Sequence, residues 1–334
     1  MEHSDLAALY DSSSSMAKVA YNAGFITVKP TPVSRKVYRS IRSITNTRKD
    51  IDDQLALNYV IGVLKKQKIR IKATVLDKSQ FSSGVQYFEH MERLLPRAND
   101  TCSSTYKLNC STLVVHNNWI VTKEAKIYRF REHLMWLYDG QDQYYSSETR
   151  KYFTYINPKP AATNNNISLL ELKRLKMYQI SALRTALIIG NLLDRVVVLP
   201  RFYCDGKGLQ CPLNSLIHMK TFDSCFSRKY RENSFLQNPL VPIIVKKSIS
   251  YQPIVSHTTR SPSTNKVDTN ITSSDIIRLF QASTNKVINV GILDGIRITN
   301  QPSSTALNEK TNKAFKLCDY RQKQPSNFTI KYLQ

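Results

Sequence analysis

The chain has 334 residues, 41% of them hydrophobic and only 9 of them glycine, which excludes a fibrous or linker-rich protein and allows two domains. Its 48 lysines and arginines against 25 aspartates and glutamates give a net charge of +23, which favours anionic partners. Nucleic acid is one such partner and a nucleoside diphosphate is another. Because the cations are dispersed along the chain, charge alone leaves both open.

The sequence contains no apolar run that is long enough to span a bilayer. The best candidate, residues 186–200, is interrupted by Asn191, Asp194 and Arg195. The N-terminus lacks the basic and apolar regions of a signal peptide. Asn-x-Ser/Thr sequons, which permit a secretory location, occur at Asn99, Asn109, Asn166, Asn270 and Asn327.

The 6 cysteines do not have the spacing of a zinc site. Cys102 and Cys110 flank a polar stretch, as do Cys204 and Cys211, so each pair could close a small disulfide loop in an oxidising compartment. The alternative is that all of them are unpaired buried thiols, and the spacing does not decide between the two.

In the N-terminal half, hydrophobic periodicity predicts strands at residues 21–29, 69–75 and 113–115 and helices at about 34–44, 54–64 and 123–137. Pro30 and Pro32 end the first strand. The acids at residues 50–53 are typical of a helix N-terminus. We expect strands 21–29 and 113–115 to share one mixed sheet, with helix 54–64 packed against it.

The C-terminal half is predicted to be a second α/β segment. Residues 139–166 are polar and tyrosine-rich, which predicts a linker between domains 1–157 and 158–334. A long amphipathic helix at 168–193 and a buried strand at 196–199 form the repeating unit of an α/β sheet. Residues 287–293 are predicted to be another buried strand, and residues 248–273 an extended loop.

Three polar segments stand at strand ends or helix starts, where open α/β sheets bind ligands. They are Asn22-Ala-Gly24, Asp52-Asp53-Gln54 and His116-Asn117-Asn118-Trp119, the last followed on a helix by Lys126 and Arg129. Each also has a plainer interpretation: a glycine at a strand bulge, a helix cap, and a surface histidine before a solvated basic helix.

As an ordered set, the segments at 22–31, 52–58, 116–120 and 126–132 resemble the nucleotide-diphospho-sugar transferase family. This family includes eukaryotic Golgi glycosyltransferases such as the plant xylosyl- and arabinosyltransferases. The resemblance covers roughly residues 6–138 and implies part of a GT-A domain, followed here by the second α/β segment. Residues 174–200 are more weakly similar to the C-terminal region of arabinosyltransferase-like members and to fucosyltransferase-like domains.

The resemblance also implies roles for individual residues. Asp53 and Gln54 would lie beside the anomeric carbon as catalytic residues, and His116 would ligate a manganese ion (Mn2+). The substrate-binding positions that it implies are Asn22, Gly24, Asp52, Asn117, Asn118, Trp119, Lys126 and Arg129. The implied partners are a nucleotide-sugar donor and a glycan or glycoprotein acceptor in the Golgi or secretory lumen, without nucleic acid and with membrane attachment only through an anchor outside this sequence.

The sequence departs from the family in one large respect. Members carry a nucleotide-binding βαβ region and an Asp-x-Asp motif before the Asn-Ala-Gly segment, whereas only residues 1–21 precede that segment here. Asp50-Ile51-Asp52 lies between two predicted helices and does not end an apolar strand, so it does not match that motif. We therefore expect a glycosyltransferase-family chain that is a fragment or has lost catalysis. The alternatives are a glycan-binding or scaffold relative and, on charge alone, a nucleic-acid-binding protein.

Overall fold

The computed structural model describes residues 4–10, 21–78, 80–84, 87–88, 112–118, 120, 122–157, 160, 168–204, 208, 210–252, 254, 269–293 and 296–299. Its contacts divide the chain into two compact units, Met1–Ile120 and Val121–Gln334. The predicted domain boundary between residues 157 and 158 remains a prediction. Strands and helices occur in both units, which confirms the predicted α/β class.

The elements of the first unit are β1 (Leu6–Tyr10), β2 (Tyr21–Val28), α1 (Pro32–Thr47), α2 (Asp53–Lys66), β3 (Ala73–Val75), β4 (Phe81–Ser83) and β5 (Val114–His116). Strand β1 lies between β2 and β3, antiparallel to β2 and parallel to β3. Strands β4 and β5 form a separate parallel pair. The predicted strand at residues 21–29 and the predicted helices are therefore present, while β1 was not anticipated.

Local sequence explains where the two helices begin. Thr31 and Ser34 form a reciprocal capping box at the start of α1, where Pro32 occupies the first turn. Asp52 caps α2, accepting a hydrogen bond from Leu55 N at 2.7 Å. The apolar sides of both helices and of the sheet enclose one core, which consists of Leu6, Ala8, Tyr21, Val37, Leu57, Val60, Ile61, Leu64 and Ile71.

The prediction that residues 21–29 and 113–115 share one sheet is wrong. β2 is hydrogen-bonded to β1, whereas β5 pairs with β4 in the register Ser83 to His116. The physical reason is that the short polar segment Phe81–Ser83, which carries no strand signal, supplies the backbone partner that the apolar run needs. Both strands nevertheless belong to the first unit.

The helices of the second unit are α3 (Lys123–Glu132), α4 (Leu169–Leu192), α5 (Met219–Phe226), α6 (Ile243–Lys247) and α7 (Ser273–Gln281). Its strands are β6 (Tyr152–Ile156), β7 (Val196–Val198), β8 (Phe202–Tyr203), β9 (Gln210–Cys211), β10 (Tyr230–Arg231), β11 (Ile249–Tyr251), β12 (Thr269–Thr272), β13 (Val287–Ile292) and β14 (Ile296–Thr299). The main sheet has the order β10-β7-β6-β13-β11, and all of its pairings are parallel. Helix α4 packs closely on it, since a β-carbon at Gly190 would lie 2.7 Å from Val197 Cγ2.

Three predictions for the second unit need correction. The stretch 139–166, interpreted as a linker, contains β6, which lies between β7 and β13 in the sheet. Its aromatic residues are buried, because tyrosine rings pack in a core as well as at a surface. The loop predicted at 248–273 includes β11 and β12, and the helix predicted at 123–137 ends at Glu132.

One of the two possible disulfides is present. Cys204 and Cys211 are bonded, with their α-carbons 5.6 Å apart, while Cys102 and Cys110 lie outside the described residues. Of the helices that the structure describes, none combines the length and the apolar character needed to cross a membrane.

Candidate functional site

Two of the predicted site residues, Gly24 and His116, pack directly against each other. A β-carbon built on Gly24 would lie 2.1 Å from His116 Nε2 and 2.2 Å from His116 Cε1. The imidazole ring therefore lies against the bare backbone of β2, although the two residues are separated by 92 positions (116 − 24). Glycine is required here by space, since any side chain would overlap the ring.

A second contact joins β2 to the start of α2. Gln54 Oε1 accepts a hydrogen bond from Ala23 N at 3.3 Å. The neighbouring Asn22 is buried, and its Oδ1 accepts from Gly24 N at 2.8 Å, which fixes the local path of β2. Asn22, Gly24, Gln54 and His116, taken from three separate segments, thus form one connected cluster.

The residue that ties this cluster together was not singled out from the sequence. Asn58 Oδ1 accepts from Tyr21 N at 2.8 Å, and Asn58 Nδ2 donates to Tyr21 O at 2.7 Å and to Gln54 O at 2.8 Å. One amide side chain therefore satisfies both backbone groups of Tyr21 and links them to the first turn of α2. Its position four residues after Gln54, one helical turn further on, was the available signal.

The acids of the second segment lie at the N-terminus of α2. Asp52 serves as the N-cap, as its plainer interpretation requires, and Asp53 occupies the first turn with its side chain exposed. An exposed carboxylate beside Gln54 is placed at the edge of the cluster. The assignment of Asp53 and Gln54 as catalytic and of Asp52 as substrate-binding stays a prediction.

The third segment leaves β5 and turns back towards β4. Asn118 Oδ1 accepts from Gly84 N at 2.9 Å, and a β-carbon on Gly84 would lie 2.7 Å from Asn118 O. Asn118 Nδ2 is buried without a hydrogen-bond partner among the described residues. Asn117 is buried, and Trp119 lies outside the residues that the structure describes.

The two predicted cations lie on α3, in the second unit. Lys126 is partly exposed. Arg129 is 1% exposed, and its Nη2 donates to Asn214 Oδ1 at 3.4 Å, so its guanidinium is engaged inside that unit. Their roles in holding a substrate stay predictions.

The resemblance implies a manganese ion at His116, and the side chains around it can be compared with what such an ion needs. Manganese is held by several carboxylate, carbonyl and imidazole ligands. Among the described residues, no three His, Cys, Asp or Glu side chains come together in a group that could hold a metal ion. The described side chains around His116 therefore do not by themselves fit a manganese site.

Comparison with known proteins agrees with the resemblance. A model of the nucleotide-diphospho-sugar transferase family matches residues 4–130. The chain is also 24% identical over 266 residues to arabinosyltransferase XEG113 of Arabidopsis thaliana, a match that covers 69% of this chain and 39% of the relative. It thus spans about two-fifths of the length of that curated relative. No solved structure matches the chain.

Proposed function

We propose that this chain, whose residues 4–130 belong to the nucleotide-diphospho-sugar transferase family, carries part of a site for sugar transfer from a nucleoside-diphosphate donor to a hydroxyl acceptor. The observation that carries the proposal is the cluster of Asn22, Gly24, Gln54 and His116. Three segments that are far apart in sequence meet there through a hydrogen bond and a ring contact. The acceptor is a glycan or a glycoprotein.

In this proposal the chain's own residues bind and orient the donor sugar. The bare backbone at Gly24 allows close approach of a ligand, and Asn118 Nδ2 offers a buried donor to a ligand oxygen. The exposed carboxylate of Asp53 stabilises the positive charge that develops at the anomeric carbon. Asn22, Asp52, Asn117 and Trp119 complete the proposed sugar site. The substrate-binding roles of Lys126 and Arg129, which lie on α3 of the second unit, stay predictions.

The proposed compartment is the Golgi or secretory lumen. The Cys204–Cys211 disulfide supports it, because disulfides persist in oxidising compartments and are rare in the cytosol. The sequon at Asn270 supports it as well, since the side chain of that asparagine is exposed.

The proposal can be tested by calorimetry on the purified chain with a panel of nucleotide sugars, with and without manganese. The variants are Gln54→Glu, which keeps the acceptor oxygen for Ala23 N, and Tyr59→Phe, a control on the exposed side of α2. We expect weak binding, with a dissociation constant on the order of 1 mM, that Gln54→Glu weakens and Tyr59→Phe does not change. Equal nucleotide-sugar affinity in the wild type and Gln54→Glu would contradict the assignment of this cluster as the donor site.

The metal is tested separately with His116→Ala. Because the described ligand set is incomplete, we expect manganese to change the affinity by less than about threefold. Tight, manganese-dependent binding that His116→Ala abolishes would mean that a working metal site exists and that the expectation of weak binding is wrong.

A further inference from the structure

The second unit contains a cavity of about 310 Å³, lined by residues of α3 and α5, by Tyr230 at the start of β10 and by the segment before β6. Small-molecule sites range from roughly 300 to 1,000 Å³, so this cavity is at the small end of that range. It matches a single sugar-sized ring and is too small for a nucleotide with its diphosphate. The cavity therefore differs in kind from a donor site.

The charges on the cavity wall argue against an anionic ligand. Three carboxylates, those of Glu124, Asp142 and Asp223, stand against two guanidinium groups, those of Arg131 and Arg228. This small acidic excess occurs in a chain with a net charge of +23. A phosphate site would instead be expected to concentrate cations.

A neighbouring cavity of about 610 Å³ has more positive than negative side chains on its wall, but some of these cations are already engaged by other groups of the protein. It is lined by Arg150, Lys151, Arg195, Arg228 and Lys229 with one acid, Asp194. Arg195 donates to four backbone carbonyls, and Lys229 lies 3.7 Å from Asp194. Arg195 is therefore committed to the fold and the charge of Lys229 is partly balanced, so the smaller cavity is the better candidate for a ligand.

A tyrosine hydroxyl at the smaller cavity, that of Tyr128, is buried without a described hydrogen-bond partner. The side chain lines the cavity and is 3% exposed, and its hydroxyl has no hydrogen-bond partner among the described residues. Burial of a polar group without a partner is destabilising, and most such groups in proteins are satisfied by protein, water or ligand. A ligand hydroxyl would supply the missing partner.

The remaining wall combines acceptors with flat apolar surfaces. The carboxylate of Asp223 is already oriented by a 2.9 Å hydrogen bond from the Tyr230 hydroxyl. The rings of Tyr128 and Tyr230 line the same space. Tyr144 lines it too, but two guanidinium groups already lie over its ring. Carboxylates accept hydrogen bonds from ligand hydroxyls, and aromatic rings pack on apolar C–H surface, which together match a neutral polyhydroxylated ring.

We propose that this cavity binds one neutral monosaccharide unit of a glycan, as a sugar-binding site in the second unit that is separate from the transferase cluster. The proposal stands on the cavity alone and does not require sugar transfer by the chain. The charge balance disfavours the sugar phosphates, and the volume fits a single ring.

The test is saturation-transfer NMR and calorimetry on the whole chain with the methyl glycosides of arabinose, xylose, galactose and glucose, and with inorganic phosphate as a competitor. We expect at least one glycoside to bind with a dissociation constant on the order of 1 mM, without competition from phosphate. Tyr128→Phe is expected to weaken that binding at least fivefold, and Tyr178→Phe, on the exposed side of α4, to leave it unchanged.

A folding defect is not expected to account for a lower glycoside affinity of Tyr128→Phe. The substitution removes a buried hydroxyl without a described partner, so the melting temperature should be equal to that of the wild type or higher. Absence of binding by all four glycosides overturns the proposal. Equal affinity in the wild type and Tyr128→Phe, or displacement of the glycoside by phosphate, does so too. Nucleotide sugars are not used, so this result is independent of the transferase test.

Discussion

The imidazole of His116 occupies the space that a side chain at Gly24 would need, with Nε2 only 2.1 Å from the position of the missing β-carbon. The two residues come from different hydrogen-bonded sheets of the first unit. This contact makes the position of the histidine ring depend on the absence of a side chain in β2.

Gly24→Ala should therefore displace His116 and strain β2. Overpacking of this kind typically destabilises a protein by about 1–3 kcal/mol, and we expect a loss of that size in the free energy of unfolding. The measurement is urea unfolding together with nucleotide-sugar binding. Gly62→Ala is the matched control, because a β-carbon at Gly62 would have no described atom within 4 Å apart from its own helix and chain neighbours. Alanine in a helix interior should raise stability by roughly 0.5–1 kcal/mol.

Asn58 is expected to be a positioning residue for the cluster. Asn58→Ala removes three hydrogen bonds and leaves the backbone groups of Tyr21 without their partner, which should cost about 2–4 kcal/mol of stability. Since Asn58 also holds the carbonyl of Gln54, sugar-nucleotide affinity should fall with it. Asn46→Ala, at an exposed position of α1, is the control and should change unfolding by less than about 0.5 kcal/mol. Unfolding curves that coincide for the two variants would contradict this role.

The N-terminal cluster was largely foreseeable because its signals are local. The strand that contains Asn22, the cap at Asp52 and the histidine that ends β5 each follow from a few neighbouring residues, and their order supplied the resemblance. The contact between Gly24 and His116 was not predicted from the sequence. Its atomic form depends on strand pairing, which sequence periodicity does not specify.

The tyrosine-rich stretch shows why other parts were missed. Tyr152 and Tyr155 are buried in β6, but tyrosine is equally common at surfaces, so its burial depends on the neighbouring strands. Strand β1 is short and follows an aspartate, and one of its two partners, β3, is far along the chain. The hydrogen bonds of Asn58 likewise depend on tertiary structure, because its side chain contacts Tyr21 in β2, 37 residues away in the sequence.

The Cys204–Cys211 disulfide should contribute measurable stability. It closes a small loop with a sequence separation of 7 residues, and the chain-entropy model gives such a loop about 2 kcal/mol. Cys211→Ser should lower the free energy of unfolding by about that amount, and a reductant should have the same effect on the wild type. Cys225→Ser, which changes a cysteine outside any disulfide, is the control. The measurement is urea unfolding, and an unchanged unfolding midpoint after reduction of the wild type would contradict the prediction.

Glu232 should make the stability of the chain depend on pH. The carboxyl is fully buried, and its Oε2 accepts a 2.6 Å hydrogen bond from the Tyr144 hydroxyl. Burial raises the pKa of Glu232 above its ordinary value of 4.5, although the Tyr144 hydroxyl and the guanidinium groups of Arg131 and Arg231 act in the opposite direction. A raised pKa in the folded state means that the folded chain binds this proton more tightly than the unfolded chain. The contribution of Glu232 to stability is therefore present below pH 4.5 and is lost as the pH rises through the raised pKa.

Glu232→Gln keeps an acceptor for Tyr144 and removes the ionisation. The free energy of unfolding of this variant, relative to that of the wild type, should therefore increase from pH 4.5 to about pH 8, because only the wild type loses stability over this range. Urea unfolding at both pH values measures this difference. Glu148→Gln, at an exposed position, provides the matched control and should follow the pH dependence of the wild type. If Glu232→Gln also followed the wild type across this range, the buried carboxyl would not be the group that links stability to pH.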